Sequence, residues 1–169
     1  MQENDEQAPL PAIITRREVR KRVFQAVFSY FFSEETPKII FDKQLKPAYV
    51  ALKQQTKPIN IEDDARFLWD LFYKAIEYKE EYLELTRGKL ENWSLERVNP
   101  TDRALILLGI VEFLHFPDIP PKVTINEYLD IAKRFSTEKS DAFINGVLDK
   151  VLQELEAAGD VKKSPRGRM

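Results

Sequence analysis

The stretch Leu105 to Phe113, Leu-Ile-Leu-Leu-Gly-Ile-Val-Glu-Phe, is apolar almost all round a helix. A helix with no polar face has to be enclosed by other elements. It is too short to cross a bilayer, which takes roughly 20 residues. The run therefore predicts a central, buried helix, and the rest of the chain has to supply its cover. Its start is written locally: Asn99 is suited to the N-cap and Pro100 to the first helical position. A second apolar series, Phe67, Leu68, Leu71, Phe72, Ala75 and Ile76, repeats at helical spacing within Ile61 to Leu85. No strand-like run and no internal repeat stands out. The expectation is an all-α fold, a compact bundle of six or seven helices in two packed halves.

Local signals divide the chain further. Residues 1–14 read as a flexible acidic tail without the basic-then-apolar layout of a signal peptide. Thr15 and Glu18 form a capping-box pair that opens a helix to about Phe32. Glu34 to Lys43, with Pro37, reads as a loop, and Lys46 to Gln55 as a shorter helix. Pro58 and Asn60 mark a turn, Gly88 a stop, and Lys89 to Trp93 a short turn or helical element. Thr124 and Glu127 suggest a second capping box, opening a helix to about Phe135. Thr137 is suited to capping a last helix, about Glu138 to Glu156, which Gly159 stops. The halves are expected at 15–90 and 91–160, followed by a basic, flexible tail at 161–169.

Composition limits the chemistry. There is no cysteine and one histidine, so thiolate chemistry, disulfides and any His-pair or Cys-based metal site are excluded. His115, at a helix end, is expected to be structural or surface-exposed. Asp63-Asp64 and Glu80-Glu81 are sequence neighbours that diverge by about 100° on a helix, which suits solvated faces better than acid/base dyads. The glycines are scattered, with no phosphate loop and no G-x-S-x-G elbow. No catalytic residue, metal or cofactor is expected, no membrane span is expected, and the chain reads as cytoplasmic.

The net charge is only −2, which argues against diffuse attraction to nucleic acid. The cations are nevertheless clustered. Arg16, Arg17, Arg20 and Lys21 fall within one sector of roughly 140° on a helical wheel. Val19, Val23, Ala26, Val27 and Tyr30 flank it as a core face. A polar face of nearly one sign suits phosphate tracking; a solvated surface helix is the bland alternative. The first helix is expected to be the main electrostatic contact to RNA. Its arginines are expected to be exposed and removable at little cost to the fold. Lys162, Lys163, Arg166 and Arg168 make a second basic cluster that competes for that role. Phe135 and Phe143, near Lys133, Arg134 and Lys139, could stack unpaired bases between cations. From the residues alone, a core position for both rings is favoured.

Several strings resemble one family. Arg16-Arg17-Glu18-Val19-Arg20 with Gln25-Ala26-Val27-Phe28 is similar to the opening R-R-x-x-R-x-x-x-x-Q-A-[LV]-[YF] of the NusB transcription antitermination family. Asn92-Trp93-Ser94-Leu95-Glu96-Arg97 and Asp102-Arg103-Ala104-Leu105-Ile106 resemble its N-W-x-L-x-R and D-R-A-[IL]-[IL]. Ile119 to Glu127, Ala132 to Phe135 and Phe143 to Lys150 resemble its P-x-K-V-x-I-N-E, A-K-x-F and F-[VI]-N-G-V-L-[DN]-x blocks. The match runs in order through most of residues 15–155.

The resemblance implies two packed helical halves and no enzymatic activity. It implies binding of boxA-type single-stranded RNA together with the ribosomal protein NusE, within an RNA polymerase antitermination complex on ribosomal RNA operons. RNA contacts then fall on Arg16, Arg17, Arg20, Lys21, Lys133, Phe135, Lys139 and Phe143, and the stacking reading overtakes the core one. Phe28 and Asp102 fall on the NusE-facing surface. Some family members pair with themselves, and a homodimer stays open here. The chain departs from the pattern at six positions. Glu18 and Lys21 replace a common Arg and Glu, Arg22 a usual apolar residue, and Leu107 a common Arg. Lys139 replaces a frequent acid and Ala142 a frequent Lys or Arg. Two other readings are an RNA-binding module of an RNA methyltransferase and a protein–protein scaffold whose basic helix meets an acidic partner.

Overall fold

The computed structural model describes residues 8–56, 63–90 and 94–168. Pro58, Asn60, Asn92, Trp93 and the first half of the N-terminal tail lie outside the described residues. Among the described residues there are eight α-helices and no strand: α1 (Arg16–Phe32), α2 (Pro37–Gln44), α3 (Lys46–Gln54), α4 (Asp64–Glu77), α5 (Lys79–Glu84), α6 (Pro100–His115), α7 (Pro121–Phe135) and α8 (Ser140–Ala157). The chain forms two compact units, one up to Asp70 and one from Leu71 onward. The division thus falls inside α4 and not after residue 90. None of these helices is long and apolar enough to cross a membrane.

In the first unit α2 packs on α1 and on α3. Helix α2 occupies most of the stretch expected as a loop. Pro37, within that expected loop, sits in the first turn of the helix, where its missing N–H has no intrahelical partner to lose. Thr36 caps the helix by accepting from the Ile39 amide.

In the second unit α6 is the central helix, with α5, α7 and α8 against it. Ala104 to Phe113 are buried without a break, as the all-round apolar run requires. Asn99 is the N-cap and Pro100 the first residue, and the Asn99 side chain accepts from the Thr101 amide. A Cβ on Gly109 would lie 2.8 Å from Leu148 Cδ2. The small residue is what lets α8 approach α6 so closely. Tyr82 of α5 hydrogen-bonds Nε2 of His115, and the Tyr78 ring stacks on the imidazole at 5.1 Å. The lone histidine is a structural tie between α5 and the end of α6.

Three boundaries differ from those expected. The segment ending at Leu85 is broken at Tyr78 into α4 and α5. Helix α7 starts at Pro121, so Thr124 lies inside it, fully buried, donating to Glu112 Oε1 at 3.2 Å. The Thr-x-x-Glu spacing there is part of a helix interior and not a cap. Helix α8 starts at Ser140, and Thr137 bonds Ser140 Oγ from the preceding turn.

Both tails are more fixed than expected where they are described. Ile14 is buried, and its backbone exchanges hydrogen bonds with the Gln55 amide. Arg22 donates to the carbonyls of Ala8 and Pro9. At the other end, Lys163 Nζ donates to the carbonyls of Glu112 and Phe116 at 3.2 and 2.8 Å. Both carbonyls lie at the end of α6 and also accept a backbone amide, from Phe116 and Ile119 respectively, and a cation there meets the negative end of the helix dipole. Burial pulls the Lys163 amine down to about 8, against the opposing charges of Glu112 and Asp118. Residues 161–168 are therefore a fastened segment and not a free tail.

Candidate nucleic-acid interface

Helix α1 begins at the expected cap: Thr15 Oγ1 accepts from the Glu18 amide at 3.3 Å. The Glu18 carboxylate does not complete a capping box. It accepts from Lys21 Nζ and Arg22 Nε, each at 2.8 Å. Burial alone would raise the Glu18 carboxyl, but hydrogen bonds and charges from Lys21 and Arg22 outweigh it and hold it below its usual range. Three of the departures from the family pattern are therefore coupled. Glu18 and Lys21 are an i,i+3 ion pair. Arg22 is only 4% exposed and is satisfied by Glu18 and the backbone of Ala8 and Pro9. A buried guanidinium is tolerated at an otherwise apolar position when its donors are matched in this way.

The arginines of the basic face are held unequally. Arg16 Nε donates to Asp64 Oδ1 at 2.9 Å, and its guanidinium lies 4.6 Å from the Phe67 ring centroid. Asp64 is the first residue of α4, where a carboxylate also suits the helix dipole. Arg20 lies 5.3 Å from the same centroid and is only 4% exposed. This corrects the expectation of an exposed Arg20: one helical turn brings both guanidinium groups to one aromatic ring, and the ring covers Arg20. Arg17 is exposed, and Lys21 is partly exposed beside Glu18.

The second constellation is the turn between α7 and α8. Phe135 ends α7 with 38% of its surface exposed, and the Arg134 guanidinium lies 5.4 Å from its ring centroid. Phe143, in the first turn of α8, is half-buried. Neither ring belongs to the core. Lys133 and Lys139 are exposed and have no ion-pair partner among the described residues.

Asp102 fixes this turn. Its Oδ1 accepts from Ser136 Oγ at 2.6 Å and its Oδ2 from Ser140 Oγ at 3.0 Å; the two hydroxyls are themselves 2.8 Å apart. The carboxylate is buried. Asp102 was expected on a partner-facing surface, and the structure instead seats it beneath the α7–α8 turn, which it ties to the start of α6. Ser136 and Ser140 carry no sequence signal beyond that of a helix break, because small hydroxyl residues there are ordinary turn formers. Only the distant acid gives them a role.

Phe28 is half-buried and forms the middle of a ladder. Its ring lies 6.3 Å from Phe24 and 5.1 Å from Phe32, and Phe32 is 65% exposed. The sequence reading missed Phe32, although its i,i+4 spacing from Phe28 marks the same helix face.

The model of the NusB family matches residues 17–153. The chain belongs to the NusB family. It is 35% identical over 143 residues to the transcription antitermination protein NusB of Methylacidiphilum infernorum, covering 84% of this chain and 93% of that one. It is 34% identical over 155 residues to the NusB protein of Chloroherpeton thalassium, covering 92% and 69% respectively. Among solved structures, T. maritima NusB superposes with a TM-score of 0.69 at 31% identity, covering 83% of this NusB-family chain and 92% of that chain. A NusB solved with NusE and double-stranded RNA shares the fold at 20% identity, with a TM-score of 0.67 and coverage of 82% and 96%. The region matched by the family model contains Arg17, Arg20 and Lys21, and also Lys133, Phe135, Lys139 and Phe143.

Proposed function

We propose that this chain is a non-catalytic RNA-binding antitermination factor. It takes up boxA-type single-stranded RNA together with NusE and joins RNA polymerase on ribosomal RNA operons in the cytoplasm. The observation that carries the reading is the α7–α8 turn, where a solvent-facing aromatic ring stands among cations, two of them with no ion-pair partner among the described residues. Phosphates neutralise such cations with release of counterions, while a flat exposed ring offers a stacking surface to an unpaired base. Asp102 acts as a positioning residue by fixing the turn. Arg17 and Lys21 add backbone contacts from α1, and Arg16 and Arg20 shape that face. Phe28 and Phe32 supply the apolar edge on which NusE docks.

Equilibrium binding of boxA-type RNA, with and without NusE, tests the reading. NusE is expected to tighten RNA binding because it extends a contact surface of few cations. Phe28→Ala and Phe32→Ala are expected to weaken NusE binding while leaving RNA binding by the isolated chain unchanged. An RNA affinity indifferent to NusE would refute the joint complex, and a chain that fails to retain RNA would refute the whole reading.

A further inference from the structure

The cations near the C-terminus form a built surface. Lys163 is fastened to the end of α6 through the Glu112 and Phe116 carbonyls. The next residue, Ser164, donates its amide to the Pro117 carbonyl at 3.1 Å and its hydroxyl to Asp118 Oδ1 at 2.5 Å. The chain then turns back, with the Gly167 amide donating to the Ser164 carbonyl at 3.0 Å, and closes in a short 3-10 turn, Arg166–Arg168. Gly167 is buried, and a Cβ there would collide with the Pro117 carbonyl oxygen. Only glycine allows this approach, so the path of the strap is set by contact with the α6–α7 connection.

This fastening leaves Lys162, Arg166 and Arg168 facing solvent, and none of the three has an ion-pair partner among the described residues. Asp160 is the only acid in residues 160–168, against four cations. No aromatic residue lies in that stretch, so it offers nothing on which a base could stack. Arginine matches phosphate oxygens bidentately and lysine as a point charge.

We infer that the strap Lys162–Arg168 is a second RNA contact, gripping the phosphodiester backbone without reading its sequence. The inference rests on the RNA-binding reading above. The strap sits beside Phe116, and Asp102 holds the α7–α8 turn at the other end of α6. Fourteen residues of helix, at about 1.5 Å each, separate the two by about 21 Å. That exceeds the Debye length of about 8 Å at physiological salt, so the strap acts as a separate site. Its effect adds to that of the turn, and it holds the flanks of a longer RNA rather than the segment read at the turn.

The test measures affinity against salt for boxA-type RNA and for a scrambled RNA of equal length, using the full chain. Four proteins are compared: wild type, Lys162→Ala/Arg166→Ala/Arg168→Ala, Gly167→Ala and Phe135→Ala. Each phosphate contact on a single strand contributes about 0.7 to the slope of log affinity against log salt. The triple variant should flatten the slope by about 2 and weaken both RNAs by the same factor, with an unchanged melting curve. Gly167→Ala keeps every charge but displaces the turn, and should lose part of the same affinity. Phe135→Ala should weaken binding without changing the slope. If wild type binds RNA and the triple variant binds it equally with the same slope, the strap inference is overturned while the RNA-binding reading stands. If Gly167→Ala matches wild type, the ordered site is overturned. If wild type retains neither RNA, the underlying reading falls as well.

Discussion

On α1, Arg16 is bound to Asp64 and packed on Phe67, Arg20 is buried under the same ring, and Lys21 is bound to Glu18. At the α7–α8 turn, Lys133 and Lys139 face solvent with no such ion pair. A cation already paired to a carboxylate must exchange one anion for another on meeting RNA, and the net gain is small. An unpaired, hydrated cation releases condensed counterions from the RNA and gains more. Counting positive residues therefore overstates α1 and understates the turn. The difference also separates two jobs. On α1 most of the charge holds the helix to its own unit, while at the turn the buried charge of Asp102 holds a surface whose cations stay available.

The strongest challenge to this contrast is Asp102→Ala. It removes a buried acceptor of two hydroxyl hydrogen bonds, and such bonds to a charged group are worth about 1.5–3 kcal/mol. A loss of about 3 kcal/mol in unfolding free energy is expected, together with weaker RNA binding as the turn loses its seat. Chemical denaturation followed by circular dichroism measures the first. An Asp102→Ala protein of wild-type stability would mean that the carboxylate does not hold the turn.

Phe135→Ala sharpens the contrast from the other side. Base stacking is worth about 1–3 kcal/mol and does not depend on salt, so the affinity loss should be the same at low and high ionic strength. The melting temperature should fall much less than for a fully buried phenylalanine, because Phe135 is 38% exposed. A large fall in melting temperature with no change in RNA affinity would return Phe135 to the core.

Smaller effects separate the arginines of α1. Arg20→Ala should destabilise the fold by about 1–2 kcal/mol through the lost cation–π contact and the lost packing of its stem. Arg17→Ala, at an exposed position, should stay within about 0.5 kcal/mol while lowering the salt slope of RNA binding by about 0.7. Equal stability of the two variants, measured by denaturant titration, would refute the inequality.

The smallest effect is a pH dependence at Glu18. Its carboxyl is held below its usual range in the folded chain, so the unfolded chain binds the proton more readily. The stabilisation is present above the unfolded carboxylate range and is lost as pH falls through the folded value. The stability difference between wild type and Glu18→Gln should therefore shrink on acidification. A difference that stays constant from neutral pH into the acid range would show that the Lys21 and Arg22 contacts contribute nothing.

Much of the fold was legible because it is written in short range. The all-round apolar run of α6 predicts its central position, and the Asn99-Pro100 start needs only neighbouring residues to read. The errors came where one local signal has two meanings. Pro37 breaks a helix or opens one, depending on where the chain packs. Thr124 with Glu127 has cap spacing, yet it lies within α7 because Pro121 had already begun the helix and Glu112 claims the threonine hydroxyl. The fastening of Lys163 could not be read locally either, because its acceptors lie 51 and 47 residues away.

The same division holds at the candidate interface. The sequence by itself determined which residues could serve: a helix with cations on one face, and two phenylalanines beside lysines at a helix break. Helical period and residue chemistry suffice for that. Which charges remain available was decided by tertiary structure. Asp64 and Phe67 reach Arg16 and Arg20 from another helix, and Asp102 is drawn beneath a turn that begins 34 residues further on. Ion pairing and burial act through space, and the spacing of residues along one helix carries no record of what the fold brings against it.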